Sequence, residues 1–366
     1  MRAPLALGTL LAITLAAALP AQDALTVGTA TAKRGETAYG ELRIPAGSDS
    51  GVNIQVAVIH GAKPGKVVAF VAGLHGTEYT SVVALTRLID KIDATKLTGS
   101  VIVVPLPNVA SFVQMVVHVN PVDRRAMNGG FPGNKTGSQT QRTMAALSEQ
   151  VVAPADIVVD LHGGDIDEDL RPYTYWTRIG DAAKDEAMKK LVMAFGIQYV
   201  ILRDADPARA GGTLGGYAIG LGKLSIVAEA GGAGGVTPTD VNTLVNGSLN
   251  VLGSLGMLDR KVKPVSKPIY ITAGTRVAAD KVGMWYPLVV RDKKVTKGQV
   301  VGYTTDFAGR KTGDVLSPVD GLMTFIRTVP SMPMRATLVN VSEYLELKPW
   351  VKPEPPAARG GRGGGG

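Results

Sequence analysis

The sequence predicts an α/β fold, a mostly parallel sheet flanked by helices, followed by a small all-β module of barrel-like character. Two observations carry this. Continuous apolar runs such as "KVVAFVA" (66–72), "SVIVVP" (100–105) and "DIVVDL" (156–161) alternate with helix-patterned stretches, as expected for strands buried on both faces. After Pro264 the pattern changes to short strands separated by Gly and Pro turns, which is the pattern of a compact β unit.

The elements follow in order. Residues 40–60, with "NIQVAVIHGA", read as strands entering the core, and "KVVAFVAGLHG" is the first continuous strand. "SVVALTRLIDKI" (81–92) spaces its apolar residues as a helix does. "GSVIVVPLPN" (99–108) is a second buried strand, and 109–138, rich in Gly, Asn and Pro, is irregular. "TQRTMAALSEQVV" (140–152) is a helix feeding the strand "ADIVVDLHGG" (155–164). A helix over 181–196 ends at a Gly, then come the strands "QYVILRD" and "KLSIVAEAGG" (223–232). The helix 237–255 opens on Thr and Pro, residues suited to its first positions.

Both ends of the 366-residue chain read differently from the middle. "MRAPLALGTLLAITLAAALPAQ" has a basic start, a short apolar stretch and small residues at Ala18 and Ala21. This is a secretory signal pattern, with cleavage expected after either alanine. The expected organisation is therefore a signal peptide over 1–21, an α/β domain over 22–262, a β module over 265–347 and a disordered Pro/Gly-rich tail over 348–366. The expected location is periplasmic or secreted, with no membrane span left after cleavage. Cysteine is absent, which removes disulfides and thiolate chemistry. The formal charge of +8 comes without a dense basic block interleaved with aromatics, so nucleic acid is not an expected partner.

Functional groups in open parallel sheets gather beyond the carboxyl ends of the strands. Three such ends here carry chemistry: His75 and Glu78 in "FVAGLHGTE", His162 in "VVDLHGG", and Glu229 in "IVAEAGG". The chain has only 4 histidines. Two imidazoles and one carboxylate are a ligand set for Zn²⁺ that leaves a position open for water. A further carboxylate, Glu229, can take that water's proton and pass it to a leaving amine. Asp160 shares a strand face with His162, where it would orient the imidazole or cap the strand end. The competing readings are loop polarity for His75 and Glu78, a core histidine for His162, and a salt-bridge partner for Glu229.

"GLHGTE", "PLPN", "DLHGG" and "AEAGG", in this order and at these separations, resemble the succinylglutamate desuccinylase/aspartoacylase family of zinc carboxypeptidase-like hydrolases. The resemblance spans roughly residues 40–347 and includes the β module. It implies one zinc per chain on His75, Glu78 and His162, with Glu229 as general base or acid. It also exposes departures. His118 stands where the family has an Arg that polarises the scissile carbonyl. "NGGFPG" keeps Asn128 but puts Gly129 in place of the Arg that grips the substrate carboxylate. Asn128 is then a positioning residue. His118 is either an oxyanion donor or a loop histidine, and Arg124 and Arg125 are either a relocated grip or solvated basic residues. An Arg fork recognises a carboxylate in two-pronged fashion, which Gly cannot do.

The expected activity is hydrolysis of an amide bond in a small molecule or short peptide, by a deacylase or a peptidase-like amidase. The rival class is a binding protein with a degenerate pocket, disfavoured by the complete set of ligands plus base. A biotin or lipoate carrier is disfavoured because "SPVDGLM" (317–323) offers no Lys.

Overall fold

The computed structural model describes residues 23–209 and 211–353. The expected signal peptide, and the part of the expected tail beyond 353, lie outside the described residues. The α/β part runs β1 (Ala24–Val27), β2 (Ala30–Lys33), β3 (Glu36–Ile44), β4 (Val52–His60), β5 (Lys63–Val71), α1 (Tyr79–Ile89), β6 (Thr98–Val104), α2 (Val109–Gln114) and α3 (Gln139–Leu147). It continues with β7 (Ile157–His162), β8 (Glu168–Leu170), β9 (Tyr173–Arg178), α4 (Ala182–Phe195), β10 (Tyr199–Asp204), α5 (Leu214–Gly220), β11 (Leu224–Glu229), α6 (Pro238–Ser254) and β12 (Ile269–Ile271).

Nine strands form the central sheet in the order β12-β10-β9-β11-β7-β5-β6-β4-β3. Five of the pairings are parallel and three antiparallel, so the sheet is mixed with a parallel centre. Every residue of β7 is buried, as a strand covered on both faces requires. Its odd residues, Ile157, Val159 and Leu161, enter one core cluster together with Leu85 of α1, Leu191 of α4 and Leu244 of α6. Val158 faces the opposite cluster, with Leu147 of α3 and Leu214 of α5. Asp160 and His162 share the parity of Val158, which fixes the face on which the site is built. Cutting Leu161 or Leu85 back to Ala would cost about 2–5 kcal/mol, because neither site is free to collapse.

The helices lie within a few residues of the sequence expectation, but two short ones were not anticipated. α2 sits inside the stretch expected to be irregular. It is capped by Asn108, whose side chain accepts from Ser111 N–H. α5, with three glycines in seven residues, has little intrinsic propensity. It is held by Thr213, whose side chain accepts from Gly216 N–H, and by burial of Leu214 and Ala218.

The β module contains β13 (Thr275–Ala278), β14 (Gly283–Pro287), β15 (Lys294–Val295), β16 (Val300–Thr305), β17 (Lys311–Leu316), β18 (Gly321–Arg327), β19 (Ser331–Met332) and β20 (Thr337–Ser342). They form two separate sheets, β13-β20-β18-β15 and β17-β16-β14-β19, packed around Trp285, Val301, Met323 and Val339. This is the small all-β module expected; its two sheets meet through side chains and, among the described residues, close no barrel. The first sheet takes in a strand from the α/β part, as β8 pairs with β18 with Phe325 opposite Leu170. Residues 348–350, expected to belong to the tail, lie against the α/β part. Arg178 Nη1 donates to Lys348 O, and Trp350 Nε1 donates to Arg178 O. The Trp350 indole is half-buried and lies against Gly180. Among the described residues no helix is long and apolar enough to cross a membrane.

Candidate active site

β5 ends at Val71, and the chain turns through Gly73 at φ +60, a conformation that glycine adopts without strain. Gly76 permits close approach to α2, since a Cβ there would lie 2.5 Å from Phe112 N. The loop carrying His75 is fastened to α2 and its cap. Asn108 Nδ2 donates to Leu74 O at 3.0 Å, and Gly76 N–H donates to Ser111 Oγ at 3.2 Å. Glu78 is the N-cap residue of α1, where the helix's free N–H groups favour negative charge.

His75, Glu78 and His162 converge. His75 Nδ1 lies 2.6 Å from Glu78 Oε1, and His162 Nδ1 lies 2.9 Å from Glu78 Oε2. Burial by itself would raise the Glu78 carboxyl, but the two imidazoles hold it at about 2. Burial lowers the His162 pKa, yet Asp160 and Glu78 override it and leave that pKa well above the ordinary value. Asp160 Oδ1 lies 3.1 Å from His162 Nε2. The pair is out of line for a hydrogen bond, so both atoms are buried without a hydrogen-bond partner. The three donors lie close enough together to share an ion.

Glu229 ends β11, directly opposite His162 on β7 and Tyr173 on β9. Its carboxyl lines the same cavity as the three donors. Burial is the largest influence on it, and with Glu78 nearby the pKa rises to about 7. Tyr173 donates its hydroxyl to Glu229 Oε2 at 3.1 Å. The phenol remains a donor because burial and the adjacent carboxyl push its pKa well up. A carboxyl half-ionised near neutrality suits a group that accepts and returns a proton.

The cavity measures about 340 Å³ and is also lined by His118, Asn128, Glu168, Tyr175, Arg203 and Phe325. His118 and Asn128 therefore join the site. Asn128 Oδ1 also accepts from Leu214 N–H at 3.3 Å, which ties its loop to α5. Arg124 and Arg125 are exposed and are not among the lining residues. Met127 and Phe131 are buried packing residues. A second cavity of about 460 Å³ shares Tyr175, Arg203, Thr213 and Val227 with the first, so the two adjoin. Arg203 stacks over the Tyr175 ring at 4.2 Å.

Sequence reasoning passed over Glu168, Tyr173, Tyr175, Arg203 and Phe325. The acidic run "DIDE" (165–168) directly after "HGG" was the one local signal available. Phe325 arrives from the β module through the β8–β18 pairing. The arrangement is reinforced by ion pairs of Asp167 with Arg327 and of Asp169 with Arg291, 2.7 and 3.3 Å.

The profile of the succinylglutamate desuccinylase/aspartoacylase catalytic domain matches residues 64–255, a span that contains His75, Glu78, His162 and Glu229. The chain belongs to the succinylglutamate desuccinylase/aspartoacylase family. Membership makes it an amide hydrolase of the deacylase kind. A relative within reach of sequence comparison is the N-alpha-acetyl-L-2,4-diaminobutyric acid deacetylase of Halomonas elongata. It is 27% identical over 319 residues, which cover 84% of this chain and 92% of the relative. The family fold recurs in solved structures. The succinylglutamate desuccinylase/aspartoacylase of Rhodobacter sphaeroides superposes with a TM-score of 0.74 at 24% identity, covering 85% of this chain and 96% of that one. The ectoine utilization protein EutE (DoeB) of Ruegeria pomeroyi superposes with a TM-score of 0.77 at 22% identity, over 85% and 96%.

Proposed function

We propose that the chain is a zinc-dependent deacylase that hydrolyses small acylated amino-acid-like amides outside the cytoplasm. The observation that carries this reading is the convergence of His75, Glu78 and His162 in one cavity with the carboxyl of Glu229. Two imidazoles and one carboxylate fit a catalytic zinc with an open position. The fit extends outward. Asp160 and the unpartnered His162 Nε2 have the carboxylate–histidine relation that orients metal-binding imidazoles. A zinc ion held there supplies Lewis acidity and an activated water.

The remaining work falls to the chain's own groups. Ionised Glu229 takes a proton from the attacking water and returns it to the leaving nitrogen, which departs as an amine. Tyr173 keeps the accepting Oε2 in place through its hydroxyl. His118 stands in the cavity wall with its Nε2 turned toward Glu168 and Asp167.

The substrate class follows from what the wall lacks. Gly129 presents no guanidinium, and Arg124 and Arg125 are not on the cavity wall, which leaves Arg203 as the single Arg or Lys side chain on the cavity among the described residues. N-acyl-aspartates and N-succinylglutamate are therefore poor substrates, and neutral or larger amides better ones. The Halomonas elongata relative supports acylated amino acids as the class. Export rests on the signal pattern of residues 1–21, and cell fractionation checks it.

The test is amine release by zinc-loaded protein across N-acyl amino acids with and without the α-carboxylate, beside the Glu229→Gln variant. Glu229→Gln should retain zinc and lose about 10²–10⁴-fold in kcat. A Gln variant with undiminished kcat removes Glu229 from the mechanism. Strong preference for the free α-carboxylate would overturn the preference for neutral amides and point to Arg203 as the grip.

A further inference from the structure

We propose that His118, Asp167 and Glu168 form a second divalent-cation site in the wall of the cavity, for an ion of the Zn²⁺ type. The inference rests on the reading of that cavity as hydrolytic. His118 Nε2 lies 3.6 Å from Glu168 Oε1 and 3.9 Å from Asp167 Oδ1. Both separations are too long for hydrogen bonds. They suit ligands spread around a common ion, since two donors each about 2.0–2.2 Å from a metal sit apart by more than a hydrogen bond.

An independent observation points the same way. Asp167 Oδ1 is buried without a hydrogen-bond partner, on a side chain that is 7% exposed. Its other oxygen, Oδ2, is engaged by Arg327 Nη1 at 2.7 Å. A buried carboxylate oxygen with no partner is costly, and this one faces the imidazole of His118.

The imidazole is held in the orientation such a site needs. His118 sits at φ +63, a conformation that costs a non-glycine residue free energy. Its N–H donates to Asp165 Oδ2 at 3.3 Å, and its Nδ1 lies 3.4 Å from the same oxygen. Asp165 thus faces Nδ1 and leaves Nε2 turned toward Asp167 and Glu168, the relation of a carboxylate to a metal-binding histidine. Asp160 stands to His162 in the same way.

Charge supports the same conclusion. Asp165, Asp167 and Glu168 crowd together, and among the described residues Arg327 is the Arg or Lys side chain paired with them. Burial, then Asp167 and Glu78, push the Glu168 carboxyl well above its ordinary range. A cation at this point relieves that repulsion.

The experiment is equilibrium dialysis of metal-stripped full-length protein against Zn²⁺, with metal content read by mass spectrometry and folding by circular dichroism. Wild type should bind two equivalents. Glu168→Gln should bind one, as should His118→Gln, whose exposed site keeps the test available if the first variant misfolds. His75→Ala should lose the other equivalent. Two equivalents retained in both Glu168→Gln and His118→Gln would overturn the second site. So would a single wild-type equivalent that vanishes in His75→Ala and survives in Glu168→Gln, an outcome that leaves the proposed function intact. A single equivalent lost in Glu168→Gln but kept in His75→Ala would support the second site and overturn the first.

Discussion

The hydroxyl of Tyr173 donates to Oε2 of Glu229 across 3.1 Å, and the two residues lie opposite each other on antiparallel strands. The hydrogen bond favours the ionised carboxylate, so it works against the burial that raises Glu229 to about 7. Glu229 acts as a base only when ionised. Activity should therefore fall as the pH drops through about 7. Tyr173→Phe removes the opposing influence, raises the Glu229 pKa further, and should move the acid limb of kcat/KM to higher pH. Activity well above the limb should change little. A limb that stays in place would separate Tyr173 from the titration of Glu229.

Asp160→Asn should keep the fold and weaken zinc binding by about 10–100-fold, because the amide no longer supplies the charge that orients His162. Competition with a chelating dye measures this directly. Unchanged affinity would assign Asp160 to the strand end alone.

Zinc uptake should release protons. His75 and His162 both have pKa values raised by neighbouring carboxylates, after the opposing effect of burial. Their protonated forms are favoured over those of free imidazoles, and an ion displaces the protons they carry. Because the metal competes with those protons, affinity should rise with pH. Calorimetry in two buffers of different ionisation enthalpy gives the number released, and a value of zero would contradict the ligand assignment.

Arg327→Met should destabilise the protein by about 3–5 kcal/mol, since it leaves Asp167 buried without its partner. Urea unfolding checks the magnitude. A loss below about 1 kcal/mol would show the pair to be solvated.

The parallel centre of the sheet was legible because β5, β6, β7 and β11 are runs of apolar residues that only a doubly covered strand explains. His75, Glu78, His162 and Glu229 were legible for a related reason: they stand at the carboxyl ends of those runs. What escaped reading reaches the cavity through pairing. Tyr173 arrives because β9 enters the sheet between β10, to which it is parallel, and β11, to which it is antiparallel, and no local periodicity encodes a strand's neighbour. Phe325 arrives from the β module through a ladder between segments far apart in the chain. α5 escaped because its stability comes from a cap and tertiary burial rather than from its glycine-rich sequence.

The β8–β18 ladder sets a rule for recombination. A chimera joined between the two sequence-defined halves, near residue 263, would inherit Phe325 and Arg327 from one parent and Leu170 and Asp167 from the other. The donor's β module would meet a foreign edge strand, and the cavity wall that Phe325 and Leu170 share would be a mismatch of two lineages. Selectivity is thus exchanged cleanly only when residues 165–171 travel with the β module, as one cassette drawn from two separate stretches of the gene.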